Sequence, residues 1–288
     1  MKPKDFVQRS NLRGALALCR DWLAIVAIVA LNVRVHNFLL YITSVWLIGS
    51  FQFALSEALL HEAIHYNLLK NRKWNDWLDV VYALPFFRTV SQMRAEHGVH
   101  HSRLGQPGDH LVDDYEAFGL NRPHVNVFWI WFVKPLLGYA GYYYIGTWSL
   151  KPWKSGVRIL LFWAMVISLF AWLHQLPFLL LYWFVPFLWS CYSQLYWSEI
   201  TDHFRAPTGI RSNLDWFSNF MHHNNGYHYT HHTYPSIPWH QLSAATRALC
   251  PDKGDVSYGF IDIYRSIKSQ PEDPAENLVI RSTPGQVG

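Results

Sequence analysis

Residues 38–65 read FLLYITSVWLIGSFQFALSEALLHEAIH, and the first 23 of them, Phe38 to Leu60, hold a single ionisable side chain, Glu57. As a helix rising 1.5 Å per residue this run reaches about 34 Å, enough to cross the hydrocarbon core of a bilayer. The character then changes abruptly to His61-Glu62-Ala63-Ile64-His65. His61 and His65 are four apart, so both imidazoles project from one face of a helix and supply half of a metal site. The stretch predicts a membrane span with metal chemistry at its end.

The rest of the chain follows that lead. Its 288 residues are 51% hydrophobic and 17% aromatic but only 15% charged, against about 25% charged in soluble domains. This excludes a disordered or solvent-exposed protein. A first apolar run, roughly 15–33, precedes the quoted one across a short link at Arg34 and His36, giving a tight helical hairpin. A second hairpin is predicted from 157–173 and 176–197, joined by His174 and Gln175, with Pro177 opening the return helix and Pro186 kinking it.

Lys and Arg concentrate before Asp21, between Lys70 and Lys154, and after Arg205, whereas the links carry only Arg34. The positive-inside rule makes those basic regions cytoplasmic. The net charge of +4 therefore reads as topology, and no Lys/Arg block indicates a nucleic-acid partner. Residues 125–150, rich in Trp, Tyr and Phe but broken by Lys134-Pro135 and three glycines, are expected to be interfacial or re-entrant. A single crossing there would put the histidine clusters on opposite faces. No strand signal is convincing. The first run lacks a cleavage site and reads as a retained span rather than a signal peptide. Cys19, Cys191 and Cys250 lie far apart and imply neither disulfide framework nor zinc ribbon.

The expectation is thus an all-α integral membrane protein with four transmembrane helices in two hairpins and a cytosolic helical cap. It divides into a cytosolic segment 1–14, hairpin 15–60, cytosolic or interfacial region 61–156, hairpin 157–198, cytosolic region 199–271 and loose tail 272–288.

Two further clusters repeat the helical spacing: His97, His100 and His101, then His228, His231 and His232. Eight histidines in HxxxH, HxxHH and HxxHH arrangement exceed what one four- or six-coordinate ion can use, so two metals are inferred. His203, four residues after Glu199, is a ninth candidate ligand. Glu199 and Glu62 are the candidate catalytic carboxylates, Glu199 as a direct or water-bridged ligand. Glu57, Glu62, Glu96, Asp109 and Asp202 are candidates to orient imidazoles. Glu57 lies inside a span, where an unpaired charge is costly, and is expected to be neutral or hydrogen-bonded near the site. His222 and His223 read as neighbours of the site or of the substrate. His36, His110, His124, His174 and His240 read as ordinary polar residues, and Asp113 to Glu116 as a solvated loop face.

These three boxes, with Ile237-Pro238-Trp239-His240 following the last, resemble the membrane fatty acid desaturase/hydroxylase superfamily over roughly residues 15–242. The run 224–228 and Tyr234 to Pro238 look closer to bacterial acyl desaturases and rhizobitoxine-type desaturase-like proteins than to alkane hydroxylases. The resemblance implies a non-haem di-iron centre on the eight box histidines, with His203 matching the extra ligand, and O2 as co-substrate. Glu199 departs from stearoyl desaturases, which place an asparagine there acting through water. The implied activity is desaturation of a fatty acyl or similar aliphatic chain, fed by a separate electron donor of ferredoxin, rubredoxin or cytochrome type. A hydroxylase or ketolase on the same scaffold is the alternative. His61-Glu62-x-x-His65 also matches the HExxH signature of zinc proteases, with Glu62 as general base, but that reading leaves the other clusters unexplained. A metal transporter is disfavoured because the boxes sit at the ends of the apolar runs instead of lining a path across.

Overall fold

The computed structural model describes residues 1–252 and 254–270. It is 71% helical, and four helices are long and apolar enough to cross a membrane: α1 (Asn11–Val35), α2 (Phe38–Ile64), α6 (Trp153–Trp172) and α7 (Leu176–His203). Between the hairpins lie α3 (Val90–Arg103), α4 (His110–Ala117) and α5 (Tyr139–Gly146). After α7 come β1 (Arg211–Asn213), α8 (His228–Thr233), α9 (Trp239–Leu249), β2 (Asp255–Ser257) and α10 (Phe260–Ser269).

Local chemistry sets the boundaries. Ser10 caps α1 by accepting the Arg13 N–H, and Asn37 caps α2 by accepting the Leu40 N–H. His36 turns the chain between them with φ of 53°. Thr89 and Gln92 form a reciprocal capping box at the start of α3. Around Pro186, which has no N–H to donate, α7 widens into π-type turns at 180–184 and 186–191. Such widening is a known accommodation of proline.

Between membrane helices the driving force is close packing and polar satisfaction rather than hydrophobic transfer. Gly49 lets α2 meet α7, since a Cβ there would lie 2.3 Å from the Ser190 side chain. Tyr182 OH donates to Asn32 Oδ1 at 2.6 Å, and the Gln52 amide donates to the Trp183 carbonyl. Large apolar residues such as Leu16, Leu23 and Val26 on α1 and Leu161 and Met165 on α6 remain exposed, as lipid-facing residues should.

Two differences from the sequence reading concern extent. The second and fourth spanning helices continue past the apolar windows to Ile64 and His203, so the first box and His203 ride on their last turns. Helical hydrogen bonding propagates once nucleated, and the buried face of Leu60 to Ile64 keeps it packed. A short parallel pair, β1 with β2, also forms where no strand was expected. Residues 125–150 contribute none of the four candidate spans and contain only short turns and α5. The segment 113–116 is part of α4, not a loop, with Asp114 and Tyr115 buried. The tail 272–288 lies outside the described residues.

Candidate metal centre

The histidines arrive on four elements. The end of α2 brings His61 and His65, α3 brings His97, His100 and His101, the end of α7 brings His203, and α8 brings His228, His231 and His232. They sort into two groups. His61, His65, His97, His101 and His231 form one, and His100, His203, His228 and His232 the other; within each, the ligand atoms lie within 4.8 Å of one another. The groups abut, because the rings of His101 and His232 stack with centroids 4.3 Å apart. All nine candidate ligands are therefore brought together. The third box divides between the groups, as a helical HxxHH pattern allows.

The Nε2 atoms converge. His61 and His97 approach to 2.8 Å, His101 and His231 to 3.1 Å, and His228 lies 3.0 Å from both His203 and His232. The buried Nε2 of His65 has no hydrogen-bond partner among the described residues. Burial pushes the imidazoles toward neutrality, and like-charged neighbours add to it. His65 falls to about 4 through burial and then Arg94, and His101 to about 3 through burial and then His65, His100 and His203. His97, His228, His231 and His232 are pushed well below the ordinary value by burial and by surrounding histidines. Neutral imidazole is the form that binds a metal. Convergent neutral nitrogens, one of them an orphan, fit a pair of transition-metal ions better than they fit a self-satisfied polar core.

Two contacts fix tautomers. The Asp109 carboxylate receives His100 Nδ1 at 3.1 Å, and the Gly209 carbonyl receives His203 Nδ1 at 3.0 Å. Because both oxygens only accept, each Nδ1 carries the proton and leaves Nε2 as the lone pair. Asp109 itself would rise on burial, but the hydrogen bond and charge of His100, with the Gly105 N–H and His110, bring it down to about 2. Asp202 stands farther off, 3.9 Å from His228 Nδ1.

The remaining carboxylates take other positions. Glu62 belongs to neither group; it is buried and accepts the Trp239 N–H at 3.0 Å, tying α2 to α9. Glu199 is grouped with His110, 3.6 Å from its Nε2, and with Asp114. It shares a cavity of about 40 Å³ with His97, Glu57 and Arg88. Glu57 is paired with Arg88 at 3.2 Å, which meets the expectation of a hydrogen-bonded acid near the site. Glu96 is exposed on α3. His222 bonds Ser50, and His223 lies 2.7 Å from the buried carboxylate of Asp21 on α1, so this pair anchors the loop before the third box to the membrane hairpin.

Sequence reasoning missed several supports. Arg211 is fully buried and donates to the carbonyls of Thr201, Phe204 and Arg205, closing the end of α7 that carries His203. His110, read as an ordinary polar residue, and Asp114, read as part of a solvated loop face, stand beside Glu199. Asp109, by contrast, was named beforehand as a candidate to orient an imidazole, and it meets His100.

Four spanning helices with convergent histidine groups at one end define a class of membrane oxidoreductase, and comparison with known proteins identifies the family. The fatty acid desaturase family model matches residues 36–260, so the chain belongs to that family. A curated relative, dihydrorhizobitoxine desaturase of Bradyrhizobium elkanii, is 26% identical over 277 residues, covering 85% of this chain and 77% of its own.

Proposed function

We propose that this membrane oxidoreductase is an O2-dependent di-iron desaturase that introduces a C=C bond into an aliphatic chain. The observation that carries this reading is the division of nine histidines into groups of five and four, each suited to one iron. Iron bound there would supply the reduction of dioxygen and the removal of two hydrogens from unactivated carbons, chemistry no side chain performs alone. The overall change converts CH2–CH2, O2, two electrons and two protons into CH=CH and two waters.

The protein's own contribution is placement. Asp109 and Gly209 hold His100 and His203 in one tautomer, and Arg211 keeps the end of α7 from fraying. Burial favours the unprotonated imidazoles of His65, His97, His101, His228, His231 and His232. An apolar groove of about 600 Å³ between α1, α6 and α7, walled by Trp22, Trp163 and Tyr182, supports an aliphatic ligand drawn from the bilayer. The desaturase name of the relative supports the same outcome. The three cysteines are free and far apart, which supports a separate ferredoxin-, rubredoxin- or cytochrome-type donor docking on the basic cytoplasmic face.

The test is reconstitution in nanodiscs with iron, a ferredoxin and its reductase, and a panel of acyl substrates. Oxygen-dependent loss of two hydrogens from the product is expected. Gain of one oxygen would make the chain a hydroxylase, and oxygen-independent peptide cleavage would favour the HExxH reading.

A further inference from the structure

A short helix, Trp216–Met221, follows β1 within the stretch expected to be cytosolic, and for a helix in water it is inside out. Trp216, Phe217 and Phe220 are 75%, 57% and 60% exposed, whereas Asn219 is buried and spends its amide on the carbonyls of Asn213 and Asp215. A neighbouring segment repeats the pattern, with Tyr258, Phe260 and Ile261 exposed. The two segments are joined where the Leu214 N–H donates to the Ser257 carbonyl and the Gly259 N–H to Asn213 Oδ1. Large apolar side chains gathered in this way mark a contact surface.

Depth decides what covers it. A hydrocarbon core about 30 Å thick takes about 20 residues of helix. Counted back along α1 from Val33, the last apolar residue before Arg34, the core ends near Gly14, and Arg20 lies about 9 Å inside that boundary. The surface of α1 agrees: Leu12, Leu16, Cys19, Leu23 and Val26 are exposed at intervals of three or four, an apolar stripe on both sides of Arg20. A charge at that depth must be satisfied within the protein. Arg20 pairs with Asp21 and donates to the carbonyls of Phe220 and Met221, so it holds the short helix at its own level. Its guanidinium also lies 5.5 Å from the centre of the Phe220 ring, which makes the aromatic patch continuous with the stripe.

The second spanning helix gives the same depth independently. Counted forward along α2 from Phe38, the core ends near Glu57, and Ser50, which bonds His222 at the end of the short helix, lies about 10 Å inside. Long polar side chains lean several ångströms toward the headgroups, so the short helix sits between the boundary and about 9 Å inside it. That is the depth at which amphipathic surface helices lie.

We propose that Trp216–Met221 and residues 258–261 form a membrane anchor that does not span, its aromatic and aliphatic side chains inserted among the headgroups and upper acyl carbons of the leaflet nearest the histidine groups. The occupant of the patch is lipid rather than a second copy of the chain, because the patch continues the lipid-facing stripe of α1 at the level of the bilayer. The short helix leads through His222 and His223 to His228, so the anchor ties the third histidine box to the membrane surface. The inference rests on packing and depth alone and is independent of the reaction.

The experiment places a fluorophore sensitive to polarity on a single cysteine of the full chain in nanodiscs. Cys19→Ser removes the exposed native thiol, and Cys191 and Cys250 are buried. Phe217→Cys and Tyr258→Cys report on the two segments, Leu23→Cys on the lipid-facing stripe and Lys4→Cys on water. Labels at 217 and 258 should emit to the blue of the label at 4 and be quenched, as at 23, by lipid carrying a nitroxide high on its acyl chain. Aqueous iodide should quench them about fivefold less than the label at 4. Metal content and melting temperature at parental values establish folding, and Trp216→Cys or Ile261→Cys replaces a variant that misfolds. Iodide quenching at either segment equal to that at 4 would overturn the anchor. A label reached by neither quencher would overturn it too, because protein, such as a second copy, would then be the cover.

Discussion

Asp109 caps α4 through the Leu111 N–H, accepts the Gly105 N–H at 2.7 Å and holds His100 at 3.1 Å. Asparagine keeps one acceptor for the Leu111 N–H, but its amide NH2 would face the Gly105 N–H that the second carboxylate oxygen accepts, so Asp109→Asn should destabilise the metal-free protein by about 1–3 kcal/mol. It removes the charge that orients His100, and metal affinity at the four-histidine group should fall about 10- to 100-fold. Metal titration of the variant checks this, and an unchanged affinity would contradict it. A second consequence concerns protons. In the chelated protein His65 and His101 sit at about 4 and about 3, whereas an unfolded chain keeps its imidazoles near the ordinary value of 6.5. Lowered folded values mean that the unfolded state takes up protons first as pH falls. Stability should therefore be level above about pH 7 and decline between about pH 6.5 and 5. Melting curves of chelated protein across that range measure it, and a flat midpoint would contradict the burial assigned to these rings.

The elements explain what could be read beforehand. The histidine boxes were legible because helix geometry turns a spacing of three or four into a shared face, a rule local to the sequence. Arg88 against Glu57 and His110 against Glu199 were not, because those pairs join segments 31 and 89 residues apart and no spacing announces them. Arg211 was equally silent: a basic residue in a three-residue strand gives no hint that it closes a helix. The segment 113–116 looked like a solvated loop because three of its four residues are acidic, yet the Tyr143 hydroxyl satisfies Asp114 and lets it be buried. Packing between elements is testable through glycines. A Cβ at Gly141 on α5 would lie 1.8 Å from the Leu188 carbonyl on α7, so Gly141→Ala should destabilise by about 1–3 kcal/mol. Gly98, inside α3 between box histidines, has nothing within 4 Å of its Cβ position, and Gly98→Ala should stabilise by up to about 1 kcal/mol. Thermal melting in detergent would show the opposite signs, and equal effects would contradict the packing.

At the scale of the molecule, two hairpins return the chain to one face. Phe6 of the N-terminal segment packs with Ile237, Leu242 and Ala245, so the N-terminus and the region following the third box share that face with the histidine groups. From the Lys and Arg distribution we propose that it is the cytoplasmic one. A cysteine introduced at Gln175 should react with a membrane-impermeant maleimide in right-side-out vesicles, and one at Lys4 only after permeabilisation; the reverse pattern would invert the topology.

The central claim is that the histidines build two metal sites, and metal content tests it most directly. The full chain in detergent, loaded with iron and analysed by mass spectrometry, should hold about two ions. His231→Ala, which removes a ligand from the five-histidine group alone, should lose one ion and keep the other. A single zinc per chain, retained in His231→Ala, would contradict the two-site centre and return the first box to the HExxH hydrolases.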